Sequence, residues 1–111
     1  MKKSDAHILM EIHLKELDIP FISEHRFEPV RKWRFDYFLP AKRIGLPRFV
    51  IEIEGAVWTR GRHTRGSGYL GDMEKYNMAA VMGYRVLRFS TQQVLDGTAR
   101  AFIQKHCAFN T

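Results

Sequence analysis

Residues 47–54 limit the fold more than any other stretch. They read Pro-Arg-Phe-Val-Ile-Glu-Ile-Glu, a β-branched run closing on two carboxylates. On an extended chain alternate side chains share a face, so Glu52 and Glu54 lie together. Just upstream, residues 32–39 (Lys-Trp-Arg-Phe-Asp-Tyr-Phe-Leu) alternate polar with aromatic residues, the pattern of a half-buried strand, and Pro40 ends it. The connection over 41–46 holds Gly45 with Lys42 and Arg43, as a hairpin loop would.

The rest of the chain fits around this hairpin. Ser4 or Asp5 caps a first helix running to about Leu17. Ile8, Leu9, Ile12 and Leu17, with Met10 and Leu14 alongside, predict its buried stripe. Asp18-Ile19-Pro20 stops it, because proline cannot continue a helix. Residues 21–27 form the first and weakest strand. Residues 55–71 carry Gly61, Gly66, Gly68 and Gly71 among Arg60, Arg62, His63 and Arg65, and read as a long, mobile, basic loop. A second helix is expected over about 72–82, with Met73, Tyr76, Asn77, Ala80 and Val81 on one side and Gly83 as its stop. A strand follows over 84–89. Ser90 or Thr91 caps a short helical turn, and a last helix covers about 98–106. The order is helix, three strands, helix, strand, helix. The crossover helix lets the third and fourth strands run parallel, while the first three form an antiparallel meander.

Length and charge bound the rest. The 111 residues suit one domain, 1–111, with one core of moderate size. The 18 Lys and Arg against 12 Asp and Glu leave a net charge of +6, which points to a polyanionic partner. Cys107 is the one cysteine, so an internal disulfide and a cysteine-rich zinc site are excluded. No apolar run approaches the roughly 20 residues of a membrane span. The basic start at Lys2 and Lys3 is followed by an apolar stretch broken at His7, Glu11 and His13, so export is not expected and the cytoplasm is.

The candidate chemistry rests on Asp36, Glu52 and Glu54. The hairpin should set Asp36 beside Glu52, and like charges held this close need a neutralising cation. Carboxylate oxygens suit Mg²⁺ or Mn²⁺. Residues 26–48 place seven cations (Arg26, Arg31, Lys32, Arg34, Lys42, Arg43 and Arg48) against Glu28 and Asp36. The loop over 59–71 adds Arg60, Arg62 and Arg65, suited to phosphate by charge and bidentate hydrogen bonding. His63 among them is a phosphate contact before it is a base. Lys75 either reaches back toward the carboxylates, where it can position a water or stabilise phosphate charge, or pairs with Asp72 or Glu74 in solvent. Glu11 reads first as a surface glutamate paired with Lys15 and second as a further metal oxygen.

Taken together and in order, these pieces resemble the PD-(D/E)XK nuclease superfamily. Trp33-Arg34-Phe35-Asp36-Tyr37, Glu52-Ile53-Glu54-Gly55-Ala56-Val57-Trp58, Gly61-Arg62-His63-Thr64-Arg65-Gly66, Glu74-Lys75-Tyr76-Asn77 and Gly83-Tyr84-Arg85-Val86-Leu87-Arg88-Phe89 look like small phage and prophage endonuclease-domain proteins. The Gly-x-x-Trp and Gly-Tyr-Arg-Val-Leu pieces are also similar to very-short-patch-repair endonucleases. The resemblance spans about residues 5–95. It implies an α/β fold, a restriction-endonuclease-like αβββαβ core with a mixed four-stranded sheet flanked by helices. It also implies metal-dependent hydrolysis of phosphodiester bonds, in DNA ahead of RNA. Asp36 and Glu52 would hold Mg²⁺ or Mn²⁺, with the carbonyl of Ile53 as a third ligand. The superfamily lysine falls at Glu54, an acid here, so either Glu54 or Lys75 orients the attacking water. Arg60, Arg62, His63 and Arg65 would grip the backbone. One small site cuts one strand, so a homodimer is a candidate assembly. The rival readings are a catalytically inactive nucleic-acid-binding module on the same fold, favoured by Glu54, and a small phage protein docking an acidic protein partner.

Overall fold

The structure is a computed structural model, and it describes residues 3–55 and 66–107. Eight elements follow in chain order: α1 (Asp5–Glu16), β1 (Ile22–Glu28), β2 (Trp33–Leu39), β3 (Arg48–Glu54), α2 (Gly66–Val81), β4 (Tyr84–Ser90), α3 (Thr91–Leu95) and α4 (Thr98–Cys107). The four strands form one sheet in the order β1-β2-β3-β4. β1 and β2 pair antiparallel, as do β2 and β3, whereas β3 and β4 pair parallel from Arg48↔Tyr84 to Glu54↔Ser90. This is an α/β architecture with a mixed four-stranded sheet flanked by helices, consistent with a restriction-endonuclease-like fold. Among the described residues no helix is long and apolar enough to cross a membrane.

Local chemistry accounts for the element ends. The Ser4 hydroxyl accepts from the His7 N–H and caps α1. Ser90 caps α3 in a reciprocal box with Gln93. Gly83, at φ +87°, closes α2 with its N–H on the Ala80 carbonyl, a left-handed position that suits glycine.

The helices divide between the two faces of the sheet. One face packs Ala6, Met10 and Leu14 of α1 with Val94 of α3 and Ala99, Ile103 and Cys107 of α4 over Tyr37, Leu39, Phe49, Ile51 and Phe89. The other packs Ala79 and Tyr76 of α2 over Phe27, Phe35 and Val50. Phe35 and Tyr37 are two apart on β2, yet they belong to opposite faces. The change occurs at Asp36, in the row where Glu24 of β1 takes φ +51° between Ser23↔Tyr37 and His25↔Phe35.

Three expectations need correcting. The buried stripe of α1 is Ala6, Met10 and Leu14, whereas Ile8 and Ile12 stay 44% and 45% exposed. Apolar residues occupy nearly every side of this helix, and the small Ala6 selects the side that approaches the sheet. α2 begins at Gly66, so 66–71 are helical rather than loop. Glycines lower helix propensity by about 1 kcal/mol each, which is why propensity reads this stretch as loop. On α2 the inward residues are Lys75, Tyr76 and Ala79, while Val81 is 81% exposed.

Candidate active site

β3 aims Glu52 and Glu54 at the α2 face, as period-two spacing requires. Each is met there by a cation. Lys75 sets its Nζ 2.5 Å from Glu52 Oε1, and both side chains are mostly buried. The Tyr76 hydroxyl donates to Glu52 Oε2. Parallel pairing brings Arg88 of β4 opposite Glu52, and its guanidinium reaches along the strand to Glu54. One arm of that fork is Arg88 Nη2 to Glu54 Oε1 at 2.9 Å. The same guanidinium stacks on Tyr76, 4.7 Å from the ring centroid. Burial, and then the hydrogen bond to Glu52, push the Tyr76 hydroxyl above its ordinary pKa, so it remains a donor.

Asp36 is placed differently. The β2–β3 ladder runs from Leu39↔Phe49 only as far as Tyr37↔Ile51. One step beyond, Asp36 Oδ2 takes the Ile53 N–H at 2.7 Å, standing in for a ladder carbonyl. That same oxygen is 3.5 Å from His7 Nε2 of α1. Beside it, the Tyr37 hydroxyl donates to Glu11 Oε2 at 2.8 Å and contacts the His7 carbonyl at 3.1 Å. Burial alone would raise the Glu11 pKa, but hydrogen bonds from Lys3 and Tyr37 and the charges of Lys3 and Lys15 outweigh it and hold the carboxyl below its ordinary value.

The expected convergence of Asp36, Glu52 and Glu54 is therefore not what the chain forms. Asp36 sits on the α1 side, and the two glutamates sit under α2. Among the described residues no three His, Cys, Asp or Glu side chains are grouped to hold a metal ion. The cause is charge balance from within: Lys75 and Arg88 supply the neutralisation expected of Mg²⁺ or Mn²⁺. To reach Glu52 or Glu54 a divalent ion would have to displace Lys75 or Arg88. The Ile53 N–H is held by Asp36. Glu11 is engaged by Tyr37 and Lys3, not by Lys15 as a surface pair. Lys75 is turned to the sheet rather than paired with Asp72 or Glu74 in solvent. Arg60, Arg62, His63 and Arg65 lie outside the described residues.

Sequence reasoning missed His7, Tyr37, Tyr76 and Arg88. Tyr76 had a signal, because it lies next to Lys75 on α2. Arg88 was findable only through the parallel register, and His7 only through the packing of α1.

Comparisons with known proteins agree with this architecture. No family model matches the chain, and no curated protein matches it. Among solved structures it is similar to the catalytic domain of the homing endonuclease I-Bth0305I, with 22% identity and a TM-score of 0.69 over 97% of this chain and 98% of that one. The chain thus shares the fold of that domain.

Proposed function

We propose that this chain is a DNA endonuclease, a single catalytic domain that hydrolyses phosphodiester bonds. What supports the reading is a fold likeness to a homing endonuclease catalytic domain that runs nearly the whole length of both chains. The net charge of +6 suits a polyanionic substrate.

Asp36, His7, Glu52 with Lys75 and Tyr76, and Glu54 with Arg88 are the residues assigned to the chemistry. Asp36 is oriented by the Ile53 N–H and has a second oxygen with which to accept from a water. Lys75 and Arg88 are fixed cations beside the site and can stabilise charge building on a phosphate. Arg60, Arg62, His63 and Arg65 are assigned to the backbone. Dependence on Mg²⁺ or Mn²⁺ belongs to the same proposal. A homodimer, a cytoplasmic setting and a phage or prophage origin likewise remain proposals.

The deciding experiment incubates supercoiled plasmid, linear duplex, branched and single-stranded substrates with Mg²⁺, Mn²⁺ or EDTA. Nicking that EDTA and Asp36→Asn both abolish supports the endonuclease. The second reading, an inactive nucleic-acid-binding module, is favoured by the internal pairing of Glu52 and Glu54. Binding without cleavage in either metal decides for it.

A further inference from the structure

The β2–β3 hairpin forms a cleft of about 680 Å³ at the opposite end of β3 from Glu54. Its lining includes Lys42, Arg43, Arg48 and Arg85, and no acid. Arg48 is already built into the fold around it. Arg48 donates to the Met82 carbonyl and lies over the Tyr84 ring, 4.4 Å from its centroid. It forms no ion pair with a described residue, and its charge adds to burial in depressing the His25 pKa. Arg43 and Arg85 are exposed, and among the described residues neither meets a carboxylate. Arg43, Arg48 and Arg85 bring three guanidinium groups to one concave surface whose lining holds no acid, a self-repulsion that an anion would relieve.

We propose that this cleft is a second site for the DNA backbone, with Arg43 and Arg85 as its phosphate contacts. It rests on the reading that the chain acts on DNA, and it adds where that DNA lies. Arg48 and Glu54 are the two ends of β3. Six steps of about 3.3 Å separate them by about 20 Å. At about 3.4 Å per base pair this is about six base pairs. The hairpin and the glutamate end of the sheet thus lie within the length of one short duplex. Phosphate contacts of this kind fix position rather than read sequence.

The experiment is fluorescence anisotropy of a labelled duplex in EDTA over a range of salt, so that binding is read without cleavage. It compares wild type with Arg43→Ala/Arg85→Ala, with Arg43→Lys/Arg85→Lys, and with Lys105→Ala on α4 as a remote control. The double alanine variant is expected to lower the slope of log affinity against log salt by about 0.9 per contact, and to weaken binding by about eightfold per contact at about 0.1 M salt. The double lysine variant keeps the slope, and Lys105→Ala leaves it unchanged. Both arginines are exposed, so an unaltered thermal midpoint is expected and verifies folding. An unchanged slope in the double alanine variant overturns the proposal, even if wild type cuts DNA. An equal fall in Lys105→Ala overturns it too, since charge anywhere would then suffice. Failure of wild type to bind DNA while it binds polyglutamate overturns it in favour of an acidic protein partner. A wild type that never cuts, yet shows the hairpin-dependent slope, sinks the endonuclease reading and leaves this site standing.

Discussion

Lys75 holds its ammonium 2.5 Å from Glu52 Oε1 and 4.6 Å from the Phe35 ring centroid. The pair is mostly withdrawn from water, so each charge depends on the other. Lys75→Met should strand Glu52 with only Tyr76 and cost about 1–3 kcal/mol, the usual loss for an orphaned buried polar group. Adding Glu52→Gln to it should recover part of that loss. Urea unfolding of the two single variants and the double completes the cycle. An additive double variant would show that the two side chains do not interact.

Asp36 serves both the backbone and the proposed chemistry, and two substitutions separate the roles. The amide of Asp36→Asn keeps an oxygen for the Ile53 N–H, so this variant should stay within about 1 kcal/mol of wild type in stability. Asp36→Ala leaves that N–H without its acceptor and should cost about 1–3 kcal/mol. Both variants should lose plasmid nicking. Nicking retained by Asp36→Asn would remove Asp36 from the chemistry.

Glu11 gives the fold an acid-sensitive point. Its pKa is held below the ordinary 4.5 in the folded chain, since burial is outweighed by the hydrogen bonds from Lys3 and Tyr37. The unfolded chain therefore binds the proton more readily. The stabilisation is fully present above the ordinary value and is lost as pH falls through the lowered one. Melting temperatures from about pH 6 to about pH 3, across the carboxylate range, should fall less steeply in Glu11→Gln than in wild type. Parallel curves would refute the assignment.

Cys107 is fully buried at the end of α4, and burial pushes its thiol up to about 11. Thiolate is the reactive form, so a thiol-specific dye at neutral pH should label it only as the chain opens. Labelling should then speed up with added urea in step with unfolding. Immediate modification of the folded protein would contradict the packing of α4.

The strands were legible because period two survives in their sequences. Residues 32–37 alternate and 47–54 form a run rich in β-branched residues, and Pro40, Pro47 and Gly83 mark where elements end or begin. The common face of Glu52 and Glu54 was legible for the same reason. Helix burial was not. Ile8, Leu9, Met10, Ile12 and Leu14 surround α1 with apolar side chains, so spacing alone could not choose Met10 and Leu14 over Ile8 and Ile12. The onset of α2 was hidden by glycines that local propensity reads as loop. The partners of the three carboxylates were hidden for a deeper reason. Arg88 reaches Glu54 through a parallel register, and Asp36 reaches Ile53 because the backbone turns over at Glu24 and Asp36. Neither relationship leaves a spacing in the chain.

The reversal at Asp36 also guards strand alignment. β2 inserts Phe35 beneath α2 and Tyr37 beneath α1, so it is anchored from above and below at neighbouring positions. A slip by a single residue would drive the Asp36 carboxylate into an oily layer and expel an aromatic ring on each side. The strand is thereby locked against sliding at the same residue on which the proposed chemistry depends.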